Sequence, residues 1–421
     1  MPDSPAPSPD DPVVVAATRS PIGRANKGSL VGKRADELMA DVLAALMDGV
    51  PDMPREHVQD IVCGNVAQAG ETGFNVARTA GMLAGFPLSV PGHTVQRFCA
   101  SSLQAITAVA NSVRVGEGDV YIACGVEKSS RPPAAPGPSG AGSGSSGSSS
   151  GSGSSGGSSG GRRGLGPGGL NPRLTGRDGF PSVYMPMGMT AENVASRFGV
   201  ARSDMDTFAK LSQDRAVAAQ SAGVFAREIT PVTLDDGTVV SADDGPRPGT
   251  TVERLGELAT PFKEDGTVTA GNSCPLNDGA AAVLITSRRA AERYGLTPLA
   301  RIVATAYSGN DPEIMGVAPI DAVGKVLERT GMAIGDIDVV ELNEAFAAQV
   351  LPVCEATGID VENQLNPHGG AIALGHPFGM TGARIMTTLI NDLRTLDGQW
   401  GLETMCAAGG MAMATVVERL A

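Results

Sequence analysis

The chain reads as an α/β protein built on a mainly parallel sheet, and three observations point there. Short apolar runs of strand type alternate with segments of helical period, giving repeated β–α–β units. Glycine supplies 56 of 421 residues and aromatics only 4%, a composition that suits helices lying close on a sheet. The element order of the second half also repeats that of the first, as after an internal duplication.

The elements follow in order. Val13–Thr18 is an unbroken apolar run and reads as a buried strand. Ala35–Met47 sets Leu38, Met39, Val42, Leu43 and Leu46 on one side at helical spacing. Asp60–Gly64 is a short strand and Val76–Ala84 a helix. The run from His93 ends at Cys99, which is expected to open an Ala-rich helix reaching about Val113, and Asp119–Gly125 is the next buried strand. Residues 139–161 are Ser and Gly except for Ala141. Such a stretch cannot bury apolar surface and is expected as a flexible surface loop. Ala191–Phe198 and Ala201–Ala222 read as helices, the second with Ser203 and Asp206 at capping-box spacing. Thr230–Pro248 holds short strands and turns, and Gly279–Thr286 is a buried strand returning to the first sheet. A second series then runs through a helix Arg288–Tyr294, a strand Arg301–Thr305, a helix Ile320–Arg329, a strand Ile337–Leu342 and a helix Phe346–Ala356. A Gly-rich loop leads to a helix Gly379–Leu393. The strands Leu402–Cys406 and Met413–Val417 close the chain.

Composition excludes several functions. The formal net charge of −13 argues against broad nucleic-acid or anionic-membrane binding, which needs a basic face, but leaves room for one local basic pocket. The six cysteines are scattered without CxxC spacing and the four histidines form no HExxH, so neither a metal site nor a disulfide framework is expected. Residues 1–11 form an acidic, Pro-rich tail without the basic start of a signal peptide. With no run of about 18 apolar residues, no membrane span is expected and the setting is cytoplasmic.

Cys99 carries the first chemical signal. Strand, cysteine, helix and strand is the geometry of a nucleophile at a sheet edge, and a helix start favours a thiolate. Three loop segments of the second half add the partners: Asn343–Phe346 at a strand end, the Gly-rich run Asn366–Arg384 containing His376, and Met405–Gly410 containing Cys406. Parallel α/β sheets collect functional groups beyond their strand ends, so Cys99, Asn343, His376 and Cys406 are expected to converge. The chemistry needs such a set: a thiolate to attack a carbonyl, an imidazole to take its proton, a second acid/base, and Gly-rich backbone to supply N–H donors.

These blocks resemble those of the thiolases, coenzyme-A-dependent acyltransferases that make or cleave 3-ketoacyl-CoA. The likeness rests on Val95–Ala105, Met187–Asn193, Thr267–Ala281, Asn343–Ala347, Gly369–Pro377, Thr381–Arg384, Cys406 and Gly409–Met411, and it runs from about Val13 to the end. It implies a five-layered α-β-α-β-α fold of two similar β-α-β-α-β-α-β-β halves, 12–290 and 291–421, with a loop domain at about 131–250. It implies a ping-pong mechanism: Cys99 carries the acyl group, His376 activates it, and Cys406 exchanges the α-proton. Asn343 positions a water, and the N–H groups of Cys99 and Ala408 form an oxyanion hole. Arg247, Leu258, Phe262, Ala270, Cys274, Met187 and Phe346 match coenzyme A contacts, with Arg247 as the cation for its phosphates. The resemblance further implies no bound cofactor, acyl-CoA and CoA as partners, and a homodimer or homotetramer.

The chain departs from that pattern at several places. Ser102 and Ala408 stand where Gly is usual, His368 where Asn is usual, Cys274 and Pro275 where Ser-Gly is common, and Arg254 where Ser is frequent. Pro186 stands before Met187 where acetoacetyl-forming members often carry His, which tilts the reading towards degradative cleavage of longer 3-ketoacyl-CoA. Condensation of two acetyl-CoA and a silent acyl-CoA-binding relative remain the alternatives.

Overall fold

The computed structural model describes residues 8–131, 171–176 and 179–421. The Ser/Gly stretch 139–161 and residues 1–7 of the tail lie outside the described residues. These hold twelve strands: β1 Pro12–Arg19, β2 Gly23–Arg24, β3 Asp60–Gly64, β4 Gly92–Val95, β5 Val120–Lys128, β6 Val232–Thr233, β7 Val239–Val240, β8 Asn277–Ser287, β9 Ala300–Gly309, β10 Val339–Leu342, β11 Trp400–Ala407 and β12 Met411–Arg419. Ten share one sheet in the order β10-β11-β12-β9-β1-β8-β5-β3-β4, with β2 beside β8, while β6 and β7 pair separately.

The two halves follow one plan. The first visits β1, β3, β4, β5 and β8 in chain order, and these lie as β4-β3-β5-β8-β1. The second visits β9, β10, β11 and β12, which lie as β10-β11-β12-β9. Its counterpart of β4 shrinks to one parallel bridge between Leu365 and Val340. Pro367 brings no N–H and Asn366 sits at φ 41°, so the ladder stops there. The Asn366 side chain replaces the missing peptide: it accepts from Leu342 N and donates to Leu342 O, both at 2.9 Å.

The sheet is mixed, not mainly parallel as expected. The pairs β3–β4, β3–β5 and β10–β11 are parallel. The pairs β1–β8, β5–β8, β1–β9, β9–β12 and β11–β12 are antiparallel. The cause is the way each half closes. Its last strand returns into the middle of its own set, β8 between β1 and β5, and β12 through the short turn after β11. The short turn makes β12 antiparallel to β11, while β8 runs antiparallel to β5 after the long connection between Lys128 and Asn277.

Five layers result. The helices Ser101–Arg114 and Thr381–Thr395 pack together in the centre, and their apolar side chains share one core with strands of both halves. A second core lies on the far side of the first-half strands, under Ala35–Asp48 and Val76–Leu83. A third lies under Pro319–Thr330 and Ala347–Thr357. Leu103 and Ile106 of the central helix are fully buried, each stabilising the fold by about 1.5–3 kcal/mol. The central helices approach closely because position 382 is Gly: a Cβ there would sit 2.3 Å from Leu103 N. Ser102, where Gly is usual, uses the crossing to accept a hydrogen bond from Ala383 N at 2.9 Å.

Two local expectations differ. The central helix starts at Ser101, so Cys99 lies in the turn before it. The Ser203–Asp206 capping box does not form; the helix spans Arg202–Ser221, and Asp206 is occupied by Arg202 Nε at 2.7 Å and Asn272 Nδ2 at 2.9 Å.

Candidate active site

The turn Gln96–Ala100 connects β4 to the central helix and carries Cys99. Phe98 adopts φ 45°, a left-handed conformation that is strained for a side chain of this size. The strain is held by local bonds. Arg97 N donates to Ser101 Oγ at 2.9 Å, and Ser101 Oγ donates to Phe98 O at 2.6 Å. The Cys99 sulfur receives two backbone N–H groups, its own and that of Ala408.

Burial pushes the Cys99 thiol up, the nearby Cys406 sulfur adds to the rise, and the two N–H groups oppose it. The expected helix-start thiolate is therefore not the resting state. The local dipole argument omits desolvation, which dominates in a closed site, and the buried sulfur holds its proton until a base takes it.

His376 follows Gly375, whose φ is 115°, and is buried. Its N–H donates to Asn277 Oδ1 at 3.0 Å. Its Nδ1 lies 2.7 Å from Thr381 Oγ1, and that hydroxyl already donates to Pro377 O at 2.8 Å. Thr381 has a single hydrogen, so towards the imidazole it accepts, and Nδ1 carries the proton. Nε2 is left with its lone pair, facing Asn343 Nδ2 at 3.4 Å. Burial, helped by the Arg384 guanidinium, pushes His376 down to about 3, so the ring is neutral at ordinary pH.

Asn343 directly follows β10, and its N–H donates to Thr404 O of β11 at 3.1 Å. Its Oδ1 is buried without a partner among the described residues. Cys406 lies near the end of β11, and its thiol is 3.9 Å from Gln349 Oε1. Burial, with the Cys274 sulfur second, pushes Cys406 up to about 12. The turn after β11 puts Gly409 and Gly410 at φ 81° and 78°, while Ala408 stays outside the left-handed region. Ala in place of the usual Gly is therefore unstrained there, and its N–H keeps its direction.

The loop carrying His376 is held from below. Glu127, at the buried end of β5, accepts the N–H groups of Val66, Ala67 and Gly379, each at 3.0 Å. The approach requires glycine: a Cβ at Gly379 would lie 2.6 Å from Gly64 O and 2.7 Å from Val126 O. Glu127 and Gln349 support these groups from outside the motif blocks, while Ser101, Asn277 and Thr381 lie inside the blocks with no role read for them. The available signal was polar type inside otherwise buried runs.

The expected coenzyme A contacts divide. Phe262 meets Phe346 edge-on with ring centres 6.2 Å apart, and Ser273 bridges to Phe346. Cys274 N donates to Ala345 O at 3.0 Å, and its sulfur feels that of Cys99. Met187 opens the helix Met187–Phe198, and the next residue must be Gly, since a Cβ at 188 would lie 2.2 Å from the Phe262 ring. Leu258 packs where a Cβ on Gly271 would be 2.6 Å from its Cδ1, beside the exposed Ala270. These contacts link the segments of Met187, Phe262, Cys274 and Phe346, and separately Leu258 with the turn after Ala270. Arg247 stands on a separate loop, its N–H donating to Gln213 Oε1 at 2.8 Å and its guanidinium next to Arg24.

Known proteins resemble this chain over nearly its whole length. Residues 12–157 and 171–289 match the thiolase N-terminal domain, and 296–419 the thiolase C-terminal domain. A beta-ketoadipyl-CoA thiolase of Acinetobacter baylyi is 42% identical over 412 residues, covering 97% of this chain and 99% of that protein. The peroxisomal 3-ketoacyl-CoA thiolase A of Mus musculus is 42% identical, covering 98% and 92%. The dimeric peroxisomal thiolase of Saccharomyces cerevisiae superposes with a TM-score of 0.86 at 36% identity, covering 98% of each chain. The acetyl-CoA acetyltransferase of Bacillus anthracis gives 0.85 at 36% identity, covering 97% and 99%. With both domains matched in order and relatives alike over nearly the whole length, this chain is an enzyme of the thiolase family.

Proposed function

We propose that this enzyme cleaves 3-ketoacyl-CoA by thiolysis through an acyl thioester on Cys99. The observation that carries the reading is the Cys99 sulfur lying under the Ala408 N–H with the Cys406 sulfur beside it. His376 Nε2 takes the Cys99 proton, and Cys99 attacks the 3-keto carbon. The Cα–Cβ bond breaks, and Cys406 protonates the acetyl-CoA enolate as acetyl-CoA leaves. The thiol of a second CoA then attacks the acyl-Cys99 carbonyl, its proton returning to the Cys406 thiolate; Cys99 leaves and regains its proton from His376, and the shortened acyl-CoA departs. The N–H groups of Cys99 and Ala408 receive the oxyanion on the Cys99 adduct. The unpartnered Asn343 Oδ1 holds a water which, with His376, receives the thioester oxygen of the acetyl unit.

Thiolases act on CoA thioesters without a further cofactor. Coenzyme A runs over Phe262, Phe346, Leu258, Met187, Ala270 and Cys274 towards Arg247. The like charges Arg247 and Arg24 stand together, a pair that an anionic phosphate relieves. Relatives named for β-ketoadipyl-CoA and 3-ketoacyl-CoA support acyl chains longer than acetyl. Condensation of two acetyl-CoA uses the same groups in reverse, and likeness to an acetyl-CoA acetyltransferase favours it as the second reading.

The enzyme works as a homodimer. β4 is the edge of the sheet, and around it Phe74 is 98% exposed and Leu88 76%. Such an edge invites pairing with a second copy. All six cysteines are free, as suits a reducing cytoplasm, and among the described residues no helix is long and apolar enough to cross a membrane.

Intact mass after mixing with acetyl-CoA tests the mechanism: an acetyl adduct on Cys99 that vanishes in Cys99→Ala is expected, and its absence refutes it. Thiolysis rates from short to long 3-ketoacyl-CoA then separate the readings, since activity on acetoacetyl-CoA alone favours the second.

A further inference from the structure

Gln349 stands in the first turn of the helix Ala347–Thr357, among apolar neighbours, and is buried. A buried amide is costly unless its polar atoms are used. Oε1 accepts the Cys406 thiol at 3.9 Å. Nε2 is buried with no partner among the described residues. Room for the side chain comes from Gly316 in the 3-10 turn Pro312–Val317, where a Cβ would sit 2.0 Å from Gln349 Cδ and 2.2 Å from Nε2. One element is bare of a side chain so that another can seat an amide against Cys406.

We propose that Gln349 is a positioning residue for Cys406, and that its carboxamide serves both protonation states of that sulfur. The inference rests on the reading that Cys406 moves the proton at the substrate α-carbon. As a thiol, Cys406 donates to Oε1. As a thiolate it needs a donor, and Nε2 supplies one after a half-turn of the amide. That terminal torsion is broad and two-fold, and the turn exchanges two atoms of nearly equal size. A carboxamide carries a donor and an acceptor on one plane, which a carboxylate or a thioether does not. A hydrogen bond given to a thiolate is charge-assisted and stronger than the one accepted from the thiol. It offsets part of the burial that pushes Cys406 up to about 12.

Hydrogen exchange at the C2 methyl of acetyl-CoA in D2O, beside the rate of Cys99 acetylation by intact mass, tests this on the full chain. Gln349→Met keeps the length and removes both polar atoms. It is expected to slow exchange about 10- to 100-fold, the weight of a hydrogen bond to a charged group, while Cys99 acetylation stays within about twofold. Gln349→Glu keeps an acceptor and adds a charge that opposes the thiolate. Its exchange is expected to be slower still, with the pH profile moved to higher pH. Gly316→Ala displaces the amide and is expected to copy Gln349→Met in milder form. Wild-type exchange and pH profile in both Gln349 variants overturn the proposal and leave the Cys406 role intact. A loss shared equally by acetylation and exchange, with no change in pH profile, also overturns it. Undiminished exchange in Cys406→Ala removes the Cys406 role itself.

Discussion

Thr381→Val isolates the tautomer of the base. The hydroxyl accepts from His376 Nδ1 at 2.7 Å and donates to Pro377 O at 2.8 Å, and valine has the same shape without either atom. One buried group, the His376 Nδ1–H, loses its partner, while Pro377 O still accepts from Met380 N at 3.0 Å. Leaving a buried polar group unsatisfied costs about 1–3 kcal/mol, so stability should fall by about that much. The imidazole has one escape, which is to carry its proton on Nε2. That hydrogen then points at the Asn343 amide nitrogen 3.4 Å away, and the lone pair needed to deprotonate Cys99 is gone. A bias of about 1.4–2.7 kcal/mol against the productive tautomer predicts acetylation of Cys99 slowed about 10- to 100-fold. Rapid mixing with acetyl-CoA and intact mass measures that rate, and urea unfolding measures the stability. Thr381→Ser restores the oxygen and is expected to recover most of the rate. Acetylation at the wild-type rate in Thr381→Val refutes the idea that this hydroxyl sets the tautomer.

Further expectations concern other supports. His376 is buried neutral with its pKa near 3, against an ordinary 6.5. The unfolded chain therefore binds a proton that the folded chain refuses, and stability falls as pH drops from 6.5 towards 3, by at most about 1.4 kcal/mol per unit from this group. His368, also lowered by burial, adds to the same slope. Urea midpoints at pH 7 and 4.5 check this, while Cys99 acetylation is expected to stay flat between pH 5 and 8; an acid limb near 6.5 contradicts it. Glu127→Gln turns an acceptor of three N–H groups into a side chain that meets one of them with its own NH2, at a cost of about 1–3 kcal/mol. An unchanged urea midpoint in that variant rules out the clamp. Gly188→Ala pushes the Phe262 ring out, raising KM for CoA about tenfold with kcat nearly unchanged, as steady-state thiolysis will report. Phe74→Asp with Leu88→Asp is expected to give a monomer in light scattering, and a persistent dimer would move the interface away from β4.

The groups proposed to react were open to reading in one dimension. Cys99, Asn343, His376 and Cys406 each sit in a short segment whose composition, Gly-rich or at the end of an apolar run, differs from its surroundings. Their supports were hidden for a physical reason. Thr381 and Gln349 look like ordinary helix residues; Thr381 meets the His376 ring because the loop before its helix folds back, and Gln349 meets a sulfur brought from another segment. Ser203 and Asp206 illustrate the reverse case. Their spacing suits a cap, yet Arg202 and Asn272 claim the carboxylate once the chain is folded.

Local periodicity and motif order thus specify the strands, the helices, the duplicated plan and the four candidate residues, because each depends on neighbours a few positions away. Packing alone settles the rest. Strand direction depends on which partner the returning chain meets, and it made a sheet expected to be parallel into a mixed one. The charge state of Cys99 depends on how much water surrounds it. At a helix entrance in solvent the dipole would favour the thiolate, but in this closed site desolvation outweighs the nearby N–H groups and favours the protonated sulfur.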